Sequence, residues 1–209
     1  MKKCGHKWLL VLGILLSVVL VTSCQFAPVE LQAGSAIDLS HLIDMNPAEV
    51  DNSDLPITPV EELHTTLPES IEVDIEQYEL TIDGKVRNQM SLTYEEILEY
   101  PTVTKVVLLI CPGYFADNAE WTGVPVTTLL EEADVEPEAS VVTFRGLDEG
   151  DVKYTQSFSL EEVQGDGVFL AHMVNGQVLP PEHGYPLRLV VEGDYGYMWV
   201  KWVEHIEVQ

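Results

Sequence analysis

Cys111 closes a strand pattern over residues 105–110, apolar from Val106 onward, and is followed at once by Pro112-Gly113. A sulfur held at the end of a buried strand can act as a nucleophile, a redox thiol or a soft metal ligand. It can equally be a structural core cysteine. A second candidate group is His183-Gly184-Tyr185-Pro186-Leu187-Arg188, stiffened by Pro180 and Pro181 in front of it. A guanidinium in an otherwise apolar strand needs a counter-charge, either a neighbouring acid such as Glu192 or an anionic ligand. The third group is Gly193-Asp194-Tyr195-Gly196-Tyr197-Met198-Trp199-Val200-Lys201-Trp202. Its glycines admit close backbone approach, its aromatics can wall a flat ring, and Lys201 adds a point charge; the plainer alternative is an aromatic strand packed on the core. Arg188 and Lys201 are the only bases after Lys153. Two isolated cations near glycine-containing loops suit a single phosphate group. His64, His172 and His205 are scattered without metal-ligand spacing. No G-x-S-x-G, P-loop, H-E-x-x-H or C-x-x-C occurs, so hydrolase and ATPase readings have no support.

The elements that must position these groups are short. Residues 78–82, ending in Asp83-Gly84, read as a strand entering a hairpin. Thr93-Tyr94-Glu95-Glu96 and Ser159-Leu160-Glu161-Glu162 are capping-box patterns that each predict a brief helix. Strands are predicted at 105–110, 140–144, 167–174, 177–179, 187–191 and 199–208, with another helix at 127–133. Asn175-Gly176 is the strongest hairpin signal. Helices that are few and do not alternate regularly with strands point to an α+β fold with mixed or mostly antiparallel sheet.

The chain has 209 residues, with 10 Lys+Arg against 35 Asp+Glu and a formal net charge of −25. That balance excludes nucleic-acid binding, which needs clustered bases. Lys2, Lys3 and Lys7 precede an uncharged run over 8–21, short for a membrane span, that ends in Val21-Thr22-Ser23-Cys24. This looks like a bacterial lipoprotein signal over 1–24, implying a lipidated Cys24 and an extracytoplasmic domain anchored to the membrane; an uncleaved signal anchor is the alternative. Past Cys24, seven bases face the 35 acids, a net charge of −28, and Cys111 is the only cysteine left. Residues 25–58 hold Pro28, Pro47 and Pro56 with no base and read as an acidic tether, leaving a single domain over 59–209.

Several short segments, in order, carry a resemblance. They are Tyr78-Glu79-Leu80-Thr81-Ile82-Asp83-Gly84, Ser91-Leu92-Thr93-Tyr94-Glu95-Glu96, Cys111, Glu120-Trp121-Thr122-Gly123-Val124-Pro125, Asn175-Gly176, the 180–188 run and the 195–202 run. Together they resemble the molybdopterin-binding domain of the sulfite oxidase family over residues 57–208. The resemblance implies a mixed-sheet α+β domain that holds Mo-molybdopterin, with Cys111 as the only protein ligand to molybdenum. It places His183 and Arg188 against the pterin and its phosphate, and Trp199, Val200 and Lys201 on a second phosphate-side segment. Gly146 would line the cofactor through its backbone, Trp121 and Thr122 would support the Cys111 loop, and Tyr114 would face the open position beside the metal. The implied chemistry is oxygen-atom transfer to or from a small molecule, with no haem in this chain. Electrons would pass to an external carrier such as a membrane haem or quinone-linked protein.

The chain departs from the family in three places. The loop after the cysteine, Pro112-Gly113-Tyr114-Phe115, lacks the Arg that holds sulfite, so a small uncharged substrate is expected; the periplasmic methionine sulfoxide reductases of the family are nearest in this respect. Glu61 and His64 stand where the family has a pterin-contacting Asn and Tyr. The n-region carries Lys2-Lys3 and no Arg pair for export of a folded, loaded protein. The last two departures motivate an alternative, a cofactor-free binding or assembly module that keeps the scaffold.

Overall fold

The computed structural model describes residues 37–66, 70–147 and 154–209. The signal segment, Cys24 and the first part of the expected tether lie outside the described residues. In chain order the elements are β1 (Glu79–Gly84), β2 (Met90–Thr93), α1 (Tyr94–Ile97), β3 (Val103–Cys111), β4 (Phe115–Pro125), α2 (Val126–Ala133), β5 (Val141–Gly146), β6 (Thr155–Ser159), α3 (Leu160–Val163), β7 (Val168–Val174), β8 (Gln177–Val178), β9 (Arg188–Val191) and β10 (Val203–Val208). They form two sheets. One has the order β2-β1-β10-β5-β6; the other has the order β3-β4-β7-β8, with β9 also paired to β7. The β1–β10 pair is parallel and the other pairs are antiparallel, which is the mixed-sheet α+β fold expected.

Local chemistry accounts for the short elements. At α1 the Thr93 side chain accepts from the Glu96 N–H while Glu96 accepts from the Thr93 N–H, and Ser159 and Glu162 repeat the exchange at α3. Each reciprocal pair satisfies helix-end donors that four residues of helix could not satisfy alone. The β7–β8 turn places Asn175 at φ 49° and Gly176 at φ 71°, the backbone that an Asn-Gly hairpin favours.

The main core gathers Leu80, Ile82, Trp121, Leu129, Phe144, Phe169 and Ile206, all 2% exposed or less. A second cluster joins Leu108, Ile110 and Ala116 of β3 and β4 to Leu39 and Leu42. The expected tether is therefore corrected from residue 37 onward. A 3-10 turn at Ser40–Leu42 seats Leu39 and Leu42 on the sheet. The Thr58 N–H donates to the Asn118 carbonyl at 2.7 Å, and Asn52 Nδ2 donates to the Val106 carbonyl at 3.1 Å. Covering β3 on this side explains its unbroken burial over 107–110: Val107 and Leu109 enter the main core, Leu108 and Ile110 the second cluster. A strand buried on both faces reads as a continuous apolar run.

The predicted terminal strand is also corrected. Pairing begins only at Val203. Before it, a 3-10 turn (Gly196–Met198) and an irregular stretch ending in Trp202 at φ 52° carry Trp199 and Lys201. Strand β4, the longest, was not predicted.

Candidate cofactor site

A cleft of about 260 Å³ opens at the end of β3. Leu109 and Cys111 come from β3, Phe115 from β4, Arg188 from β9, and Gly196, Tyr197, Trp199 and Lys201 from the irregular stretch. Tyr154 and the run His64-Thr65-Thr66 complete the wall. Two glycines make room for the lysine segment: a Cβ on Gly146 would lie 2.1 Å from the Lys201 carbonyl oxygen, and one on Gly184 would lie 3.1 Å from Lys201 Cα.

Cys111 is a half-buried free thiol paired with Phe115 across the β3–β4 turn. Burial pushes its thiol up from the ordinary range. A reactive redox or nucleophilic cysteine needs the opposite shift, whereas metal coordination deprotonates a thiol outright.

Arg188 is 5% exposed and lies between the rings of Trp121 and Trp199, 5.4 and 5.3 Å from their centroids. Its Nη1 donates to the His183 carbonyl at 2.9 Å, and its Nε is buried with no partner. Glu192, the counter-charge considered from the sequence, pairs instead with Lys105 at 2.7 Å. Burial brings the Arg188 pKa down to about 10, with Asp117 opposing the shift, so the group stays charged at neutral pH. A buried guanidinium with an unused donor is costly unless an anion reaches it.

Lys201, 8% exposed, donates to Thr65 Oγ1 at 2.7 Å and to the Glu182 carbonyl at 2.6 Å. Burial first, then repulsion from Arg188, lowers its pKa to about 7. An anion between these two cations would relieve both penalties.

The remaining expected residues divide. His64 lines the cleft. Trp199 forms a wall and donates its indole N–H to the Val191 carbonyl at 3.0 Å. His183 is 4% exposed, and burial plus the two cations push its pKa down to about 4, so it is neutral; it borders a small void behind the cleft, with Arg188 and Asp117. Val200 is buried and holds its segment to β9 through its carbonyl, which accepts the Leu189 N–H at 2.8 Å. Gly146 does not line the cleft but packs behind Lys201. Tyr114 is 76% exposed on the turn between β3 and β4, and Phe115, which opens β4 opposite Cys111, takes the wall position expected for it. Trp121 supports Arg188 directly. The residue missed from the sequence is Asp117, 2% exposed, whose carboxylate accepts from the His64 backbone N–H at 2.8 Å and bonds its ring Nδ1 at 2.9 Å. Nothing in the local sequence marks it, because Asn118 and Glu120 stand beside it.

The residues fit a molybdopterin. A soft sulfur stands at one wall, aromatic rings flank the space, and two buried cations, one with an unused donor, await an anion. Among the described residues no group of three or more His, Cys, Asp or Glu is placed to hold a metal ion by itself.

Comparison with known proteins agrees. Residues 64–209 match the family model for the oxidoreductase molybdopterin binding domain. The chain is 30% identical over 168 residues to a nitrate reductase [NADPH] of Fusarium oxysporum, covering 69% of this chain and 19% of that protein. It is 29% identical over 143 residues to the protein-methionine-sulfoxide reductase catalytic subunit MsrP of Gluconobacter oxydans, covering 62% and 46%. Among solved structures, the sulfane dehydrogenase SoxCD of Paracoccus pantotrophus superposes with a TM-score of 0.66 at 32% identity, over 78% of this chain and 45% of that one. The chain thus spans less than half the length of each of these relatives. On the family match and the site it explains, the chain belongs to the molybdopterin-binding oxidoreductase domain family.

Proposed function

We propose that this chain is a lipid-anchored, extracytoplasmic oxidoreductase that holds Mo-molybdopterin in the cleft and moves an oxygen atom to or from a small uncharged substrate. One observation carries the reading: Arg188 is buried and charged, with an unused donor, on the wall of the cleft that Cys111 also lines. When bound, the cofactor supplies two-electron oxygen-atom transfer and one-electron exchange with a carrier. The chain's own residues bind and orient it. Cys111 gives the thiolate ligand, Arg188 and Lys201 take the phosphate, and Phe115, Tyr197 and Trp199 flank the ring system and exclude water.

The uncharged substrate follows from charge. Arg188 and Lys201 are the only cations lining the cleft among the described residues, and the phosphate engages both. The turn Pro112-Gly113-Tyr114 adds none. A sulfoxide such as methionine sulfoxide, the substrate class in the name of one relative, fits this better than sulfite or nitrate. The signal pattern and Cys24 support anchoring, and the net charge of −28 past Cys24 would hold the domain off an anionic bilayer. Electrons would come from an external membrane haem or quinone-linked protein.

Molybdenum and pterin analysis of the protein purified from its own membrane tests the reading. About one equivalent of each is expected, because the protein's part in such chemistry is to bind and orient the cofactor. A content below about a tenth of an equivalent would overturn it in favour of a cofactor-free binding module.

A further inference from the structure

We propose that Asp117 is a positioning residue for the cofactor site: its buried carboxylate fixes His64 as a preformed part of the cleft wall, a role that rests on the oxidoreductase reading above. Among the described residues Asp117 is the only buried acid, and Arg188 and Lys201 are the only buried Arg or Lys. All three stand at the cleft or at the small void behind it. Taking a carboxylate out of water is costly unless its partners offset the loss. Both Asp117 oxygens go to one residue, 53 positions earlier in the chain: Oδ2 accepts the His64 backbone N–H at 2.8 Å, and Oδ1 bonds the ring Nδ1 at 2.9 Å. Burial raises the Asp117 carboxyl, and these bonds oppose the rise more than Arg188 does. Arg188 acts on Asp117 through its charge and gives its own Nη1 to the His183 carbonyl.

The two bonds hold main chain and ring at once. Phe115, paired with Cys111 across the β3–β4 turn, stacks on the imidazole at 5.2 Å and 16°. The next residue is fastened from the other side, where Lys201 Nζ donates to Thr65 Oγ1 at 2.7 Å. Residues 64–65 thus join the wall that carries the sulfur to the cation expected on the phosphate. The His64 side chain is 56% exposed. A ring that open would otherwise sample several rotamers and lose that freedom when the cofactor covered it. Fixed beforehand, it costs less to bind against, and outer partners that orient a contact ring carry much of a site's affinity. Fastening the arm itself requires no charge. Asn118, the next residue of β4, does so with an amide that accepts from Asn52 Nδ2 at 2.9 Å and donates to the Leu55 carbonyl at 3.2 Å. The carboxylate stands where a ring as well as a backbone is held.

Two measurements test this: molybdenum release from loaded protein, counted per folded molecule, and amide hydrogen exchange in the full mature chain free of cofactor. Asp117→Ala should release molybdenum about 10-fold faster or more. His64→Ala should do the same. Asp117→Asn should stay within about threefold of the wild type, since its oxygen can take the His64 N–H and its amide nitrogen can turn to Nδ1. Phe144→Ala, which weakens the core of the other sheet, should leave release per folded molecule unchanged. In the cofactor-free chain, Asp117→Ala should speed exchange of the His64 amide by about 10-fold or more, with the β10 amides unchanged. Release from Asp117→Asn as fast as from Asp117→Ala overturns the inference, because the lost charge, acting on Arg188, would then be the cause. Wild-type release from Asp117→Ala or His64→Ala overturns it too, as does a His64 amide that is indifferent to Asp117→Ala or speeds only together with β10. A wild type without molybdenum overturns the parent reading along with this role; a loaded wild type with any of the other failures overturns this role alone.

Discussion

The two sheets satisfy their polar groups differently. In the β2-β1-β10-β5-β6 sheet, Arg145 pairs with Glu207, His205 with Asp83 at 2.8 Å, and Thr143 with Ser157 at 2.8 Å; the Tyr78 hydroxyl donates to the Val203 carbonyl. In the β3-β4-β7-β8 sheet and its β9 strand lie Trp121, His172 and Arg188, which hold the buried side-chain polar atoms without a partner among the described residues. Folding alone gives no reason to bury an unpaired guanidinium, since doing so opposes stability. One sheet is consistent at every level and supports the fold. The other breaks a local rule at Arg188, on the cleft wall where a ligand is needed, which is where such breaks are expected.

That contrast sets the order of effects. Phe144, fully buried in the first sheet and packed on Phe158, should cost about 3–5 kcal/mol of unfolding free energy when replaced by Ala. Cofactor bound per folded molecule should stay unchanged, as denaturant titration and metal analysis would show. Arg188→Met should do the reverse. Cofactor retention should weaken by roughly 10–100-fold, the worth of a charge-assisted bond. Cofactor-free stability should hold or rise by about 1–4 kcal/mol, because a buried unpaired charge is removed. A destabilised Arg188→Met would mean that the cation serves the core and would erase the contrast. The smallest effect is a pH slope. The Lys201 pKa is lowered to about 7 in the fold, so below pH 7 folded and unfolded chains both carry its proton and the burial penalty is complete. Between about pH 7 and the ordinary lysine range near 10.4, only the unfolded chain holds the proton, and cofactor-free stability should rise with pH. Lys201→Met should flatten that slope in urea titrations across the window.

Local patterns were legible in the sequence, and long-range placements were not. The two capping boxes, the Asn-Gly turn and the apolar run into Cys111 depend on near neighbours, and each lies where it was read. Arg188 was legible because a charge in an apolar strand is conspicuous at any distance. Asp117 was not, since its meaning arises only when β4 brings it opposite His64. Strand β4 itself lacks a clean alternation at Phe115-Ala116-Asp117-Asn118-Ala119-Glu120, because the arm covers one face and the core the other. Tyr114 ends the turn and Phe115 opens β4 opposite Cys111, and where the turn stops and the strand starts is what brings the Phe115 ring to the cleft. The arm over 37–58 looked like a tether because its prolines and acids are visible locally, whereas the sheet surface that Leu39 and Leu42 cover is not.

The central claim is that the Cys111 sulfur binds molybdenum beside a pterin. X-ray absorption at the molybdenum edge, recorded on the loaded wild type and on Cys111→Ala, tests it most directly. The account predicts that the variant keeps its fold and its pterin but shows one sulfur ligand fewer and no turnover; an unchanged sulfur count, with turnover intact, would contradict it.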